Sequence, residues 1–186
     1  MGIKAIVLND KSEKGNALFT KMLKWLDNPA RQKYNNPEKL LAGSGIQCGQ
    51  TVLEIGCGSG FFTIPASKIL GEEGKLYSID IHAKAVEETQ KKVNELKLKN
   101  VVVKKDNAMK SSFEDSMFDL ILLYGVVPAP VINMSDISIE IHRLLKPGGN
   151  CAIWTMVPFW SPWPALKHVS FEKNKKHNGV FLLRKI

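Results

Sequence analysis

Apolar and polar residues follow two different periods along the chain. Short β-type runs fall at 51–55 (TVLEI), 75–80 (KLYSID), 101–105, 118–124 (FDLILLY) and 151–157 (CAIWTMV), and each reads as a strand. Segments of helical period lie between them. Residues 61–70 form one, ended by Gly71; residues 83–96 form a second, with Ala85, Val86, Val93 and Leu96 on one face; residues 135–145 form a third, with Ile137, Ile141, Leu144 and Leu145 aligned. Leu144-Leu145-Lys146-Pro147-Gly148-Gly149 reads as a helix stop that turns the chain back into the sheet. Strands alternating with helices predict βαβ units, so the expected fold is α/β: a doubly wound, mostly parallel sheet buried on both faces. Two later runs, 169–173 and 180–185, flank Asn178-Gly179. They predict an antiparallel pair at one sheet edge, joined by a connection longer than a tight hairpin.

The first fifty residues carry a different pattern. A helix is expected over 16–26, with Leu18, Met22, Trp25 and Leu26 on one face, broken by Asp27-Asn28-Pro29. Asn36-Pro37-Glu38 reads as an N-cap followed by Pro at the first helical position, opening a short helix through Leu41. This segment is too small to fold alone. The expected division is therefore a helical cap or lid over 1–50 and a main domain over 51–186.

Composition narrows the class. A chain of 186 residues, 44% apolar and 24% charged, suits one domain with a single core. The longest nearly uncharged apolar run, 120–132, is interrupted by Gly125, Pro128 and Pro130. It falls short of the ~20 residues a membrane span needs. Residues 2–9 are apolar but contain Lys4 and precede no small-residue cleavage site, so no signal peptide is expected. Cys48, Cys57 and Cys151 are odd in number and widely spaced; they suggest neither a disulfide framework nor a metal pair, and fit a reducing cytoplasm. The net charge of +8 comes from scattered lysines, mildly concentrated at 91–105 and 173–185. A solvated surface is the favoured reading over a nucleic-acid face.

The chemistry is concentrated in Val52-Leu53-Glu54-Ile55-Gly56-Cys57-Gly58-Ser59-Gly60, a strand followed by a glycine turn and a helix start. Glycines let a ligand approach the main chain, and exposed amides at a helix start attract anions. The dinucleotide pattern G-x-G-x-x-G would need a glycine at 61, where Phe61 stands. Asp80 ends the second strand, twenty residues after Gly60. A carboxylate there can accept both hydroxyls of a ribose; the alternative is an N-cap for the following helix.

Glu54-x-Gly56-x-Gly58-x-Gly60 resembles motif I of class I S-adenosylmethionine-dependent methyltransferases, and the resemblance runs from about Asn28 to the C-terminus. It implies a Rossmann-like fold with a seven-stranded sheet and S-adenosylmethionine as cofactor. The implied site comprises Glu54, Gly56, Cys57, Gly58 and Gly60, with Asp80 at the ribose, Ile81 on the adenine face, Asn107 and Ala108 at the adenine edge, and Leu123. Counting back from Phe113 and Phe118-Asp119 places Asn107-Ala108 in the slot where the family has an acidic residue and Ala; Asp106 is the alternative contact. The segment from Asn28-Pro29-Ala30-Arg31 to Leu41 is also similar, more loosely, to the quinone-biosynthesis (type 11) small-molecule group.

Several chemistries are disfavoured. The end of the fourth strand lacks the Asn/Asp-Pro-Pro-aromatic signature of nucleic-acid and glutamine N-methylation. No cysteine is placed as a nucleophile there, and no Asp is placed to hold magnesium, so no metal is expected. Pro128 stands where many relatives have a His, and no catalytic residue is assigned; His142 reads as a surface residue and Tyr124 as packing more than catalysis. Trp154, Phe159, Trp160 and Trp163 fit a core cluster or an apolar acceptor pocket equally well. Arg31 and Tyr34 are the polar groups expected to face the acceptor. A small-molecule acceptor is the leading expectation, with RNA or protein methylation and a non-catalytic cofactor-binding module as alternatives; the sequence does not set the oligomeric state.

Overall fold

A computed structural model describes residues 12–128, 132–166, 169–173 and 176–186. The apolar stretch at 2–9 and Pro130 lie outside the described residues. Three helices come first: α1 (Glu13–Leu26), α2 (Pro29–Tyr34) and α3 (Pro37–Ala42). Then follow β1 (Thr51–Ile55), α4 (Thr63–Leu70), β2 (Lys75–Asp80), α5 (Ala83–Glu95), β3 (Val101–Lys105), β4 (Phe118–Tyr124), α6 (Met134–Leu144) and β5 (Leu145–Trp154). A short 3-10 turn at Trp163–Ala165, β6 (Phe171–Lys173) and β7 (Phe181–Lys185) complete the order.

The strands form one seven-stranded sheet in the order β3-β2-β1-β4-β5-β7-β6. The first five are parallel; β7 and β6 add antiparallel at the edge. This is the Rossmann-like arrangement, with the direction of winding reversing between β1 and β4. Ligands in such sheets bind at that switch point, beyond the carboxyl ends of the strands.

Alternate residues of each strand serve opposite layers. Val52, Leu120, Leu122 and Tyr124 pack with Leu41, Phe62, Ala66 and Leu70 under α3 and α4. Leu53, Ile121, Leu123 and Ile153 pack with Ile137, Ile141 and Leu144 of α6 on the other face. A third, smaller cluster joins Phe19 and Leu23 of α1 to Cys57 and Ala85. Among the described residues, no helix is long and apolar enough to cross a membrane.

The structure corrects several expectations. Asn28-Pro29 does not only break α1: Asn28 Oδ1 accepts from the Ala30 amide and opens α2, the same Asn-Pro device that opens α3. The buried stripe of α1 is Gly15, Phe19 and Leu23, flanked by Met22 and Leu26, so it is rotated from the expected face, and Trp25 is 61% exposed. The helix stops where expected, but Lys146-Pro147-Gly148-Gly149 lies inside the following strand rather than before it. α6 ends at Leu144, Leu145 is already paired with Phe118, and the next pairing joins Leu120 to Asn150, so the tetrapeptide bulges within β5. That strand ends at Trp154 rather than at 157. At the edge, His177 and Val180 exchange backbone hydrogen bonds around Asn178 (φ 49°) and Gly179 (φ 83°). The turn itself is therefore a tight two-residue hairpin of the doubly positive-φ kind. His142 is partly buried edge-on against Phe171, with ring centres 5.4 Å apart, and is not a free surface residue.

Tyr124 ties the N-terminal layer to the sheet. Its hydroxyl, buried in the core, donates to the Leu40 carbonyl of α3 at 2.9 Å. The same carbonyl also accepts from the Gly43 amide, so loss of the hydroxyl leaves no orphaned acceptor. Tyr124→Phe is expected to lower unfolding free energy by about 1 kcal/mol, the net value of one hydrogen bond. Chemical denaturation measures it; a loss above about 3 kcal/mol would mean that the ring packing, not the bond, is disturbed.

Candidate functional site

The carboxyl ends of β1, β2 and β4 and the loop after β3 open into one cavity of about 400 Å³. That lies within the range of small-molecule sites, roughly 300–1,000 Å³. Its walls include Gly56, Gly58, Asp80, Ile81, Asn107 and Ala108, with Ile55, Ile79, Asp106, Met109, Gly125 and Val126. Helix α1 closes the top with Phe19, Met22, Leu23, Trp25 and Leu26, and Ile132 and Met156 complete it.

The turn after β1 is built by backbone. The Gly56 and Cys57 amides both donate to the Ile79 carbonyl, at 2.8 and 3.0 Å, which pins the turn against β2. Gly56 has φ 81°, and a Cβ there would lie 2.5 Å from Val126 Cγ2, so conformation and space both require glycine. Gly58 has φ 54°, and a Cβ there would point across to Leu26 at 3.9 Å. Its amide donates to Asp80 Oδ2 at 3.1 Å.

Asp80 lies at the centre of the wall. Its Oδ1 accepts from the His82 amide at 2.9 Å. Burial raises its pKa, against the pull of the His82, Gly58 and Ile81 amides. The N-cap of α5 is not Asp80 but His82, whose Nδ1 accepts from the Lys84 amide at 3.2 Å. His82 also stacks flat on Phe19, with centroids 3.5 Å apart. Asp80 is thus placed on the cavity wall without the capping duty that was its alternative role.

In the loop after β3, Asp106 is committed locally. Its Oδ1 accepts from the Asn107 amide, its Oδ2 from the Ser112 amide and hydroxyl, and Lys104 pairs with it at 3.3 Å. Desolvation raises its pKa, but these hydrogen bonds outweigh it and leave the carboxyl below its ordinary value. Asn107 uses its Oδ1 on the Met109 amide, at 3.0 Å.

Four sequence-expected residues lie off the cavity wall. Glu54 is buried beneath the turn, where its Oε2 accepts from the Thr63 and Ser78 hydroxyls. Cys57 is buried toward α1, and burial pushes its thiol up. A Cβ at Gly60 would meet Thr89 and Lys92 of α5 rather than a ligand. Leu123 is in the core beside α6. Of the four aromatics, Trp154 packs edge-on with Phe62, Trp160 and Trp163 pack on Phe181, and Phe159 projects fully into solvent; none is among the residues lining the cavity. Tyr34 is 80% exposed, whereas Arg31 sits over the Phe61 ring at 4.2 Å. The expected cap over the cleft supplies the α1 wall, with Met22, Trp25 and Leu26 from the expected face; Phe19 and Leu23 were not among the residues expected there. Their signal was an apolar stripe (Leu18, Phe19, Met22, Leu23, Leu26) wider than one helix contact requires.

A family model described as Methyltransferase domain matches residues 46–183. Demethylmenaquinone methyltransferase of Geobacillus stearothermophilus is 30% identical over 132 residues, 70% of this chain and 51% of the relative. The chain thus spans about half the length of that curated relative. A crystal structure of a SAM-dependent methyltransferase from Aquifex aeolicus aligns with TM-score 0.74 and 29% identity, covering 88% of this chain and 96% of that one. The [4+2]-cyclase SpnF aligns with TM-score 0.65 at 17% identity, over 75% of this chain and 57% of its own, and shares the fold alone.

Glu54 gives the site a pH dependence. Burial raises its carboxyl to about 7 from 4.5, against the Thr63 and Ser78 hydrogen bonds, with repulsion from Asp80 adding to the rise. A folded-state pKa above the unfolded one gives stability that is full below the unfolded value and lost as pH rises through the folded one. Between pH 4.5 and 7.5 the wild type is expected to lose about 3 kcal/mol relative to Glu54→Gln. Denaturant titrations across that window check this; parallel profiles for the two proteins would refute it.

Proposed function

The chain belongs to the methyltransferase-domain family matched over residues 46–183, and on that premise we propose that it transfers the methyl group of S-adenosylmethionine to a small-molecule acceptor in the cleft above β1, β2 and β4. The observation that carries this reading is the cavity wall. One surface brings together the Gly56–Gly58 turn, the Asp80 carboxylate and the Asn107 carboxamide, under an apolar roof. The chemistry of this set suits an adenosine: a carboxylate for the ribose hydroxyls, a carboxamide and Ile81 for the base, and a side-chain-free turn for close approach. The relatives named for demethylmenaquinone support a small-molecule acceptor. The three cysteines, all unbridged, support a reducing compartment such as the cytoplasm.

When bound, the cofactor supplies a methyl group on positively charged sulfur. The work left to the protein is orientation and exclusion of water, because methyl transfer is an in-line displacement. Asp80 and Asn107 would fix the adenosine. Gly125, Val126 and Met156 border the part of the cleft furthest from that end and would meet the acceptor. Tyr124 is not a base for the acceptor: its hydroxyl is spent on Leu40 and burial raises its pKa. Leu26, Ile132 and Met156 would keep the reacting atoms dry.

The N-terminal layer would divide its duties. Leu41 of α3 is fully buried in the core, while α1 borders the cleft, so we assign α3 to structure and α1 to a lid. On addition of S-adenosylhomocysteine, amides of residues 13–26 should gain hydrogen-exchange protection by about tenfold or more, and those of 37–42 should not change. Protection of 13–26 that is already high and unaltered by ligand would remove the lid.

Calorimetry tests the cofactor. S-adenosylhomocysteine should bind and NAD should not. Asp80→Ala should weaken the former by about 1–3 kcal/mol, the cost of unpaired polar groups. Circular dichroism should stay native. Tight NAD binding with no response to S-adenosylhomocysteine would overturn the reading.

A further inference from the structure

Arg31 of α2 is the one cation that the N-terminal layer brings to the inner end of β4, among the described residues. Its Nη1 donates to the Leu26 carbonyl at 3.0 Å, and its guanidinium lies 4.2 Å over the Phe61 ring and 5.8 Å from that of Phe62. Its Nη2 stands 4.0 Å from where a Cβ would project at Gly125, which borders the cleft. Its Nε is buried with no hydrogen-bond partner among the described residues. No carboxylate among the described residues pairs with it. Asp27, the nearby acid whose charge it feels, is paired with Lys92.

A partly buried guanidinium whose buried Nε–H has no acceptor among the described residues carries a cost that a suitable ligand would relieve. Arg presents its donors in a flat fork that matches the two oxygens of a carboxylate. The Phe61 ring packs against the guanidinium at 4.2 Å and limits its freedom before a ligand arrives. Gly125 adjoins both the guanidinium and the cleft.

Resting on the cofactor reading above, we propose that Arg31 is a carboxylate receptor at the β4 end of the cleft, engaging either the aminoacyl carboxylate of the cofactor or a carboxylate carried by the acceptor. In either case it is a positioning residue: it fixes one end of a ligand whose other end lies at Asp80 and Asn107, and so sets where the reacting atoms meet. It takes no part in bond making.

Three probes distinguish the sources by calorimetry on the full chain: S-adenosylhomocysteine; 5′-methylthioadenosine, which keeps the nucleoside and sulfur but lacks the amino-acid end; and benzoate added to protein saturated with S-adenosylhomocysteine. Wild type, Arg31→Gln and Arg31→Lys are compared. If the cofactor supplies the carboxylate, Arg31→Gln weakens S-adenosylhomocysteine by about tenfold or more and leaves 5′-methylthioadenosine unchanged. If the acceptor supplies it, both nucleosides bind as in wild type and benzoate binding is lost in Arg31→Gln. In each case Arg31→Lys should recover part of the loss. The proposal is overturned if Arg31→Gln matches wild type with all three probes. It is equally overturned if that variant loses both nucleosides alike, because that marks a merely structural role. Failure of the wild type to bind either nucleoside would instead sink the cofactor reading itself.

Discussion

The site depends on one backbone clamp, the pair of amides at Gly56 and Cys57 converging on the Ile79 carbonyl. A parallel strand normally ends by releasing its neighbour. Here β1 ends by holding on to β2 through one shared acceptor, and the chain turns sharply at the edge of the cleft. The clamp fixes the height of Gly58, whose amide reaches Asp80. Asp80 in turn receives the His82 amide, and His82 caps α5. A single turn therefore sets the floor of the cavity, the direction of its carboxylate and the start of the next helix. Glu54 braces it from below through Thr63 of α4 and Ser78 of β2.

A second consequence concerns the layer over the sheet. α3 enters the core through Leu40 and Leu41 and is tied by Tyr124, so it belongs with the main sheet energetically. α1 rests on a smaller cluster and on the Asp27–Lys92 pair, with Lys92 also donating to the Ser59 carbonyl of the glycine turn. Part-exposed ion pairs contribute little, about 0–1 kcal/mol. Elements held this way sit at the low end of the local stability range, where lids are found. Two helices of one N-terminal layer thus differ in how firmly they are held, because only one of them finds a place in the large core.

The sheet was legible in the sequence because strands buried on both faces read as short continuous apolar runs, as at 118–124, and because Gly71 and the Asn-Pro steps mark helix ends. What escaped was decided by tertiary contact. The face of α1 shifted because Phe19 finds the flat ring of His82, a partner 63 positions away that no local period reveals. The Lys146-Pro147-Gly148-Gly149 bulge reads as a stop in one dimension, yet the ladder resumes beyond it at Asn150. Gly56, Gly58, Asp80, Ile81, Asn107 and Ala108 were brought to one wall, while Glu54, Cys57, Gly60 and Leu123 support that wall or the core beside it. Glu54 and Gly60 show why: a motif spells out the residues that make a turn as well as those that touch what the turn holds, and sequence alone does not separate them.

The charge pattern along the cleft then follows from sheet order rather than from composition. The chain as a whole is basic, with net charge +8. Yet the strand ends at β1 and β2 are acidic, with Asp80 on the wall and Glu54 below it, both desolvated. Desolvation raises both pKa values because a buried anion lacks solvent stabilisation, and it also strengthens the attraction of either carboxylate for a cation placed nearby. A positively charged sulfur above Gly56–Gly58 would meet that field with no lysine among the described residues of the cavity wall. At β4 the sign reverses, where Arg31 stands over Phe61. A ligand that is cationic at its middle and carries a carboxylate at one end matches this gradient in one orientation only. The reversed orientation would bring carboxylate to Asp80 and leave the guanidinium unpaired. On the Arg31 proposal, orientation in this cleft is set by a desolvated carboxylate at the end of β2 and a partly buried guanidinium brought to β4 by α2.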